Sequence, residues 1–501
     1  MKGAVVDRVF SFPRPRPRGL LGRRFEMDEQ LVLLGGVALS VALLAALPGA
    51  VLKILAFLAV AGSCAWATLV PYKGRTFLKW YEIRRSYRRL LRDGALLYRS
   101  TAPLAGRRGD GTPASVAQPA GIPESLEWIS ARTAYGDIAV LLQPAEGMFV
   151  ASLEVEGQKN FGGLDGADKE SLIAAYEYLL RETAESGGRI GYLQWLARVL
   201  PTDPNAHAHD AASRRDPAAA SWLDQSYSQL VDMVAVYAED RRLFMTLGIP
   251  YTQDLAAEAL QYRTLHEGYG EVLGKEIEQF IRSLSGAQLR WVRNLDEPAL
   301  ASLIHHTYAP DHWINDTRGM DRASCWPAEM DAREPTRMAA RSWEGADPWY
   351  TATAWIKQFP VLPVGVNFLA PLLLYVSDVI LTVGVTMQLL PTDRALEDAM
   401  ADVTNEAGQA DNSPGKIVDP REERELGASA STMHDLANGA AGIRLTGWVS
   451  VTAPDPELLT QQRNNVRAAA TKSQLALEWC DSEQHRAFAN TLPLCTGLLR
   501  N

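Results

Sequence analysis

Three histidines and an aspartate lie close together in the stretch LIHHTYAPDHWI, Leu303 to Ile314. Imidazole and carboxylate groups bind zinc and act as general bases, so this stretch raises the question of enzyme activity. His305 and His306 are neighbours, and adjacent side chains on a helix point about 100° apart, so they cannot share one metal ion. We therefore interpret His305, His306 and Tyr308 as the end of a helix that Ala309-Pro310 terminates, where the helix dipole favours cationic or polar side chains.

A second histidine-bearing stretch, NAHAHD, spans Asn205–Asp210. In an extended chain His207 and His209 would lie on the same side and could bind a metal ion weakly. The alanine and aspartate residues around them are typical of a surface loop. We therefore predict no metal site here.

The string YGEVLGKE is the nearest match to a phosphate-binding loop, which requires G-x-x-x-x-G-K-[ST]. Gly274-Lys275 fits, but Tyr269 replaces the first glycine and Glu276 replaces the hydroxyl residue. The string NSPGKIVD fails similarly, and the sequence contains no nucleophile elbow, His-Glu-x-x-His motif or calcium loop. We predict no catalytic, cofactor-binding or metal-ligating residues, no cofactor and no enzyme activity.

Two apolar runs of 17 residues each, Leu31–Leu47 and Ile54–Val70, carry no charge. A single helix across all 40 residues would be about 60 Å long, twice the hydrocarbon thickness of about 30 Å. Pro48-Gly49 would also break it. We therefore predict a two-helix transmembrane hairpin over residues 31–71. Small residues would let its helices approach closely: Gly36, Ser40, Ala61, Gly62 and Ala65.

Basic residues flank the predicted hairpin on both sides. Residues 1–30 contain seven basic and four acidic side chains, residues 73–108 contain eleven and two, and Lys53 is the only charge in the turn. The positive-inside rule then places both termini in the cytoplasm, which predicts a multi-pass protein of the cytoplasmic membrane. Since the net charge is −9, residues after 108 carry about −22, which argues against direct nucleic-acid binding by the body.

Three further segments lie outside the predicted hairpin and the body. Residues 1–30 are predicted to be a basic cytosolic leader. Residues 72–100 contain RTFLKWYEIRRSYRRLLR, which predicts a basic juxtamembrane amphipathic helix on the lipid surface. Residues 101–122 are rich in glycine, proline and alanine without periodicity, and we predict a linker.

The remaining chain contains the same order of predicted elements twice, in residues 123–310 and 345–501. Each half runs β-α-β, insertion, β-α-β, and the tetrapeptide LPTD occurs at the same step, at residues 200–203 and 390–393. The fold class is therefore predicted as α/β (α+β), with tandem ferredoxin-like split-βαβ units after the hairpin. One long helix is predicted from Asp254 to about Ser285, and a short one over residues 366–376.

Alternation in the strand IRLTGWVSV predicts two faces, one with Ile443, Leu445, Val449 and Val451 and the other with Arg444, Thr446, Trp448 and Ser450. This pattern favours a sheet with helices on one side only. The strand tryptophans are expected in the core: Trp291, Trp448 and Trp479. The scattered cysteines are expected to be isolated buried thiols in a reducing compartment: Cys64, Cys325, Cys480 and Cys495.

The front of the chain resembles EccE, a membrane component of actinobacterial type VII (ESX) secretion systems. The resemblance covers roughly residues 25–200: two apolar runs, a basic segment, then SARTAYGDIAVLLQPAEGMFVASLEVEG leading to RIGYLQWLARVL. It implies a membrane protein of a secretion apparatus, and it lends no catalytic residues to these positions.

The later part is similar to the non-catalytic N-terminal region of TraC/TrbE-type conjugative (type IV secretion) ATPases. The similarity rests on VILTVGVTMQLLPTDRALED and on QLALEWCDSEQHRAFANTLPL, which ends in Leu492-Pro493-Leu494. In that family such an ending precedes the motor domain, whereas this sequence contains no Walker motif. The resemblance implies a relative without a motor.

We therefore expect a membrane-anchored, non-catalytic assembly component of a bacterial secretion or conjugation apparatus. Its expected partners are the lipid bilayer, other secretion-system subunits including a separate cytosolic ATPase, and further copies of the chain. Two alternatives stay open at this point. One is a nucleotide- or metal-dependent membrane-associated enzyme that uses the histidine clusters, and the other is a membrane-surface adaptor outside any translocon.

Overall fold

The computed structural model of the chain describes residues 9–10, 27–46, 49–69, 71–72, 75–100, 118–158, 164–185, 188–201, 220–235, 239–360, 362, 364–376, 378–397, 399–400, 433, 436 and 442–498. The chain forms two compact units, Pro13–Leu96 and Leu97–Asn501 together with Met1–Phe12. His207 and His209, the string NSPGKIVD and most of the predicted linker lie outside the described residues.

The smaller unit contains helices and short strands, and the larger unit is a mixed α/β structure. The strands are β1 (Val9–Phe10), β2 (Pro71–Tyr72), β3 (Arg75–Thr76), β4 (Leu97–Arg99), β5 (Glu127–Thr133), β6 (Gly136–Gln143), β7 (Met148–Gly157), β8 (Tyr192–Pro201), β9 (Glu239–Pro250), β10 (Leu289–Asn294), β11 (Glu329–Asp331), β12 (Met338–Arg341), β13 (Trp349–Gln358), β14 (Val364–Gly365), β15 (Ile380–Leu390), β16 (Gly442–Ala453) and β17 (Ala476–Trp479). The helices are α1 (Met27–Ala46), α2 (Ala50–Leu69), α3 (Phe77–Arg92), α4 (Gly166–Glu185), α5 (Ser221–Ala235), α6 (Gln253–Ala259), α7 (Leu265–Leu284), α8 (Glu297–Tyr308), α9 (Ala370–Leu373), α10 (Pro456–Lys472) and α11 (Gln484–Ala489).

One antiparallel sheet runs through the whole larger unit. Its strand order is β4-β11-β12-β13-β16-β15-β8-β9-β7-β6-β5, with β10 paired to β7 and β17 paired to β13. The predicted α/β class is therefore confirmed. The segments 123–310 and 345–501 contribute to the same sheet, because β8 of the first pairs with β15 of the second.

The two halves of this sheet have matching strand orders. The first contains β10-β7-β9-β8 and the second β17-β13-β16-β15. In the first half, β6 pairs with the first part of β7 and β10 pairs with the second part of β7. In the second half, β12 pairs with the first part of β13 and β17 pairs with the second part of β13. Leu200 and Leu390, which open the two LPTD strings, lie at the ends of β8 and β15.

Apolar side chains on one face of the sheet pack against helices to form two buried cores. The first lies under α4, α6 and α7 and includes Phe149, Leu193 and Leu273. The second lies under α9 and α10 and includes Val449 and Val466. The odd-numbered residues of β16 face these cores, as the alternation predicted.

The opposite face of the sheet is also buried, so the prediction of helices on one side only is wrong. Gln194 and Thr246 on this face have no exposed surface. Helices α8 and α11 lie here, and Tyr308 of α8 contacts Phe488 of α11 with ring centroids 4.7 Å apart. The C-terminal segment is fixed beside them, because Gln194 Nε2 donates to Asn490 O (3.0 Å) and Gln194 Oε1 accepts from Cys495 N (2.8 Å). Side-chain alternation could not reveal this layer, since small polar residues occur equally on solvated faces.

Several local predictions need correction. The long helix predicted from Asp254 is broken into α6 and α7, because Thr264 forms an N-cap whose hydroxyl accepts from Glu267 N at 3.2 Å. The helix predicted over residues 366–376 is only the four-residue α9. In the predicted linker, Ile122 is buried. Some strands were not predicted: β4, β5, β6, β11 and β12.

Glycines in α7 let this helix lie directly on the edge strand β5. A Cβ atom on Gly270 would lie 2.6 Å from Ser130 O, and one on Gly274 would lie 2.3 Å from Arg132 O. Real Cβ atoms do not approach backbone oxygens this closely. The helix therefore covers a sheet edge that would otherwise be open to pairing with another chain.

We expect Gly274→Ala to destabilise the larger unit by about 1–3 kcal/mol, because the added methyl group would clash with the backbone of Arg132. The matched control is Gly365→Ala, where no atom lies within 4 Å of the added carbon. Urea unfolding of the detergent-solubilised chain measures both variants. Equal stability of the two variants would contradict the close contact between helix and strand.

Candidate functional site

The opening histidines lie at the end of a helix that is buried on all sides. Helix α8 begins at the N-cap Asp296, whose carboxylate accepts from Ala299 N (3.0 Å), and its C-cap is Ala309. Every side chain from Ala299 to Tyr308 is buried. The predicted end of the helix is confirmed, and burial on all sides explains why charged side chains are absent from Ala299–Tyr308.

The two adjacent imidazoles point to different partners. His305 Nδ1 donates to Ser324 O at 3.0 Å, whereas His306 Nδ1 donates to His312 O at 2.5 Å. The His305 ring also stacks on Trp343, with centroids 5.2 Å apart. Because a carbonyl can only accept, each Nδ1 carries its proton, and each ring fixes a neighbouring loop to the helix.

Burial keeps these imidazoles neutral at pH 7. Desolvation lowers the pKa of His305 to about 4, with a smaller contribution from His312. Desolvation followed by the charge of Arg198 holds the pKa of His306 well below its ordinary value. The explanation from the helix dipole requires positively charged histidines. It is therefore wrong for His305 and His306, because the effect of burial on their pKa outweighs that of the C-terminal dipole.

A serine–histidine contact lies in the same cluster, and no sequence pattern indicated it. Ser302 Oγ lies 3.1 Å from His312 Nε2, a distance typical of a nucleophile and its base. The hydroxyl also lies 2.9 Å from Ile314 O and 3.2 Å from Asp316 O, and Ser302 has no exposed surface. The serine therefore fixes the turn that follows α8, and no substrate carbonyl can reach it.

Arg198 joins this helix to the centre of the sheet. Its guanidinium donates to Thr382 Oγ1 (2.7 Å) and to His306 O (3.0 Å), so it connects β8, β15 and α8. Only 2% of the residue is exposed, and desolvation lowers its pKa to about 9. Among the described residues it forms no ion pair with a carboxylate. The sequence signal that could have identified Arg198 as a buried charge is its position inside the largely apolar string LQWLARVL.

The other sequence candidates are separate from this cluster. Gly274 and Lys275 lie in the middle of α7, where Lys275 Nζ donates to Tyr262 OH at 3.1 Å. A helix interior has no free amides to surround a phosphate group. Within the described ranges, no three His, Cys, Asp or Glu residues are grouped to hold a metal ion.

A cleft of about 480 Å³ lies over strands β11, β12 and β13. Its charged groups interact with one another: Arg333 pairs with Asp331 at 2.6 Å, and the Arg337 guanidinium lies 5.6 Å from the centre of the Tyr350 ring. Three arginines and three carboxylates line its wall, so the cleft has no surplus of either charge. This arrangement does not select for a phosphate or a metal ion.

The smaller unit contains one helix long and apolar enough to cross a membrane, over Ala50–Thr68, among the residues that the structure describes. Its 19 residues span about 28 Å at 1.5 Å per residue, close to the hydrocarbon thickness. The apolar part of α1, Leu31–Ala45, is shorter. The two-span arrangement therefore stays a prediction, with one helix of sufficient length.

Helices α1 and α2 approach closely at Gly36. A Cβ atom there would lie 2.6 Å from Cys64 Sγ, and Ser40, one turn later, is fully buried with its hydroxyl donating to Gly36 O (2.7 Å). The predicted role of Gly36 and Ser40 is confirmed. Gly62 was assigned wrongly, because nothing lies within 4 Å of its Cβ position. No disulfide joins any of the cysteines, all of which lie in the described part of the chain, and three of them are buried: Cys325, Cys480 and Cys495.

An aromatic cluster and a row of arginines follow the apolar helix. Trp66 of α2 contacts Phe77 of α3 (centroids 4.9 Å apart), and Arg84 lies over the Trp80 ring at 4.8 Å. Further arginines of α3 are exposed: Arg85, Arg88, Arg89 and Arg92. This order, with aromatic rings beside an apolar helix and arginines beyond them, is typical of a membrane interface.

No protein-family model matches the chain, and no curated protein matches it either.

The histidines make stability depend on pH. Because the folded pKa of His305 is about 4, the unfolded chain binds more protons than the folded chain between about pH 6.5 and pH 4. The free energy of unfolding should fall as the pH is lowered through this range, by up to about 1.4 kcal/mol per pH unit for this histidine. His305→Gln should reduce that slope in urea unfolding.

The matched control is His266→Gln, since the His266 side chain is 63% exposed. His305→Gln should reduce the slope more than this exposed control does. If the two variants have the same slope, the neutral buried assignment is wrong.

Proposed function

We propose that the chain is a membrane-anchored, non-catalytic assembly component of a bacterial secretion or conjugation apparatus. The carrying observation is helix α2, whose apolar surface is largely exposed and long enough to cross a bilayer. An exposed apolar helix of this length is unfavourable in water, and a lipid environment removes that cost. The anchor holds the larger unit at the membrane.

We propose the cytoplasmic membrane as the location, with both termini on the cytoplasmic side. The exposed arginines of α3 support this, because α3 begins at Phe77, shortly after α2 ends at Leu69, and its arginines would face anionic lipid. The basic residues before α1 support the same orientation. A two-span hairpin fits this orientation, with α1, whose apolar part is the shorter of the two, as the first span.

We further propose that the larger unit consists of tandem ferredoxin-like units. The strand orders β10-β7-β9-β8 and β17-β13-β16-β15 support this, since each corresponds to 4-1-3-2 when the strands are numbered along the chain. Antiparallel pairing between all neighbours supports it too. Such duplication would explain why the LPTD strings close equivalent strands.

A scaffolding role is favoured by how the chemically capable groups are used. His305, His306 and Ser302 are buried and bonded to backbone carbonyls, and Arg198 connects sheet and helix. Each group therefore stabilises a connection within the fold. Partner binding would use exposed surface instead, and Trp313 and Trp343 are 40% and 50% exposed. Tryptophan is enriched among residues that dominate binding energy.

The partners proposed are other secretion-system subunits, a separate cytosolic ATPase and further copies of the chain. The acidic body and the lack of a Walker motif in the sequence support a motor supplied by another protein. The likeness to EccE and to the TraC/TrbE N-terminal region supports the same class of apparatus, type VII or type IV-like.

Charges placed in α2 test the anchor. We expect Leu55→Arg with Leu58→Arg to release the chain from membranes during an alkaline carbonate wash, because each arginine costs about 2.5–3.5 kcal/mol at a bilayer centre. Leu91→Arg is the matched control, since Leu91 is an exposed leucine of α3 outside the apolar segment. Retention of the doubly charged variant in the pellet would show that α2 is not the anchor.

Affinity purification from membranes tests the assembly role. We expect the unchanged chain to elute in a large complex that contains an ATPase encoded by a neighbouring gene. Trp313→Ala should reduce the amount of recovered ATPase several-fold. The control is Tyr135→Ala, which should leave that amount unchanged, since Tyr135 is a similarly exposed aromatic residue in the turn between β5 and β6. Elution as a lone monomer would favour a membrane-surface adaptor and contradict the proposal.

A further inference from the structure

The arginines of helix α3 lie on one side of the helix. At 100° per residue they fall within an arc of about 140°, which also contains the half-exposed Tyr81. The opposite side is apolar and includes Ile83, Leu90 and the buried Tyr87. The residues of this arc, which we call the arginine face, are all exposed: Arg84, Arg85, Arg88, Arg89 and Arg92.

The charges of the arginine face repel one another. Residues three or four positions apart on a helix are neighbours, with Cβ atoms about 5–6 Å apart. This spacing brings like charges together at positions 84 and 88, 85 and 88, 85 and 89, 88 and 92, and 89 and 92, and each such pair is unfavourable. In the part of the chain that the structure describes, none of these arginines forms an ion pair with a carboxylate. An anionic ligand would remove this repulsion.

The spacing of the arginines indicates which anion fits. Guanidinium groups bind phosphate oxygens through two parallel hydrogen bonds. One phosphodiester carries a single negative charge, so it leaves most of the face uncompensated. A molecule with two phosphates supplies two anions while only one molecule is immobilised, which favours it over two separate phosphates. The arginines that form the patch for it are each three or four residues from two others: Arg85, Arg88, Arg89 and Arg92.

The contact between α2 and α3 favours a lipid headgroup as the source of the phosphates. Trp66, in the last turn of α2, contacts Phe77, the first residue of α3, with ring centroids 4.9 Å apart. The start of α3 therefore lies beside the end of the apolar helix, which is where headgroups lie when α2 crosses a bilayer. Arg84 follows Phe77 by only about 10 Å along the helix, at 1.5 Å per residue.

We propose that the arginine face of α3 binds a phospholipid headgroup that contains two phosphate groups, as in cardiolipin. This inference rests on the proposed function, because α2 must hold α3 at the bilayer. It assigns the chemistry of the lipid that α3 contacts, beyond a general attraction to negative charge. The bound headgroup would cancel the repulsion within the arginine face and hold α3 in the headgroup region.

Native mass spectrometry of the full chain in detergent tests this inference. The chain is supplied with cardiolipin and phosphatidylglycerol at equal total phosphate, and the retained lipid of each kind is counted. Arg88→Gln with Arg89→Gln removes two neighbouring charges of the arginine face. The matched control is Arg263→Gln with Arg467→Gln, which removes two exposed charges from the larger unit.

We expect the unchanged chain and the control to retain several-fold more cardiolipin than phosphatidylglycerol. The α3 double variant should lose this excess, because the patch of neighbouring guanidinium groups is broken. A second variant, Arg88→Lys with Arg89→Lys, keeps both charges but lacks the two-pronged geometry, and it should retain several-fold less cardiolipin than the unchanged chain.

Equal retention of the two lipids by the unchanged chain, or the same loss in the α3 variant and the control, would overturn the inference. Pyrophosphate that binds as tightly as cardiolipin would overturn the assignment to lipid, and retention of an acidic protein in place of lipid would do so too. An alkaline carbonate wash of the unchanged chain reports on the anchor separately. A chain that stays in the pellet without any preference for cardiolipin keeps the anchor and loses this inference, whereas its release overturns the anchor itself.

Discussion

The antiparallel pairing of β8 with β15 is the contact on which the larger unit depends. It runs from Val199 opposite Leu381 to Tyr192 opposite Gln388, and it turns two sets of strands into one sheet. Gly384 lies at its centre, where a Cβ atom would lie 3.0 Å from Asn490 O. The C-terminal segment can therefore lie directly on the sheet at the junction between the halves.

The buried polar layer follows from this junction. Where two halves meet, the second face of the sheet is covered by α8, α11 and the C-terminal segment rather than by water. Its side chains must then find partners inside the protein, because an unpaired buried polar group is costly. Ser152 and Thr246 bond to each other across β7 and β9 at 3.0 Å, and Arg198 reaches both halves. The histidines of α8 belong to the same layer, which is why they lack exposed surface.

The separation of tasks between the two units gives the protein its proposed role. Apolar and basic groups are concentrated in the unit of α1, α2 and α3, and the acidic groups lie in the unit built on the sheet. A rigid sheet with both faces covered presents fixed surfaces to partners, since closely packed interiors deform little.

The sequence alone determined the elements whose periodicity is strong, including β7, α8 and α10, because caps and alternating side chains are local properties. It also determined that His305 and His306 could not share a metal ion. The pairing of β8 with β15, the break at Thr264 and the contact of Ser302 with His312 were decided by the tertiary structure. Alternation identifies the residues that share a face, but what covers that face depends on segments hundreds of residues away, such as Cys495 against Gln194.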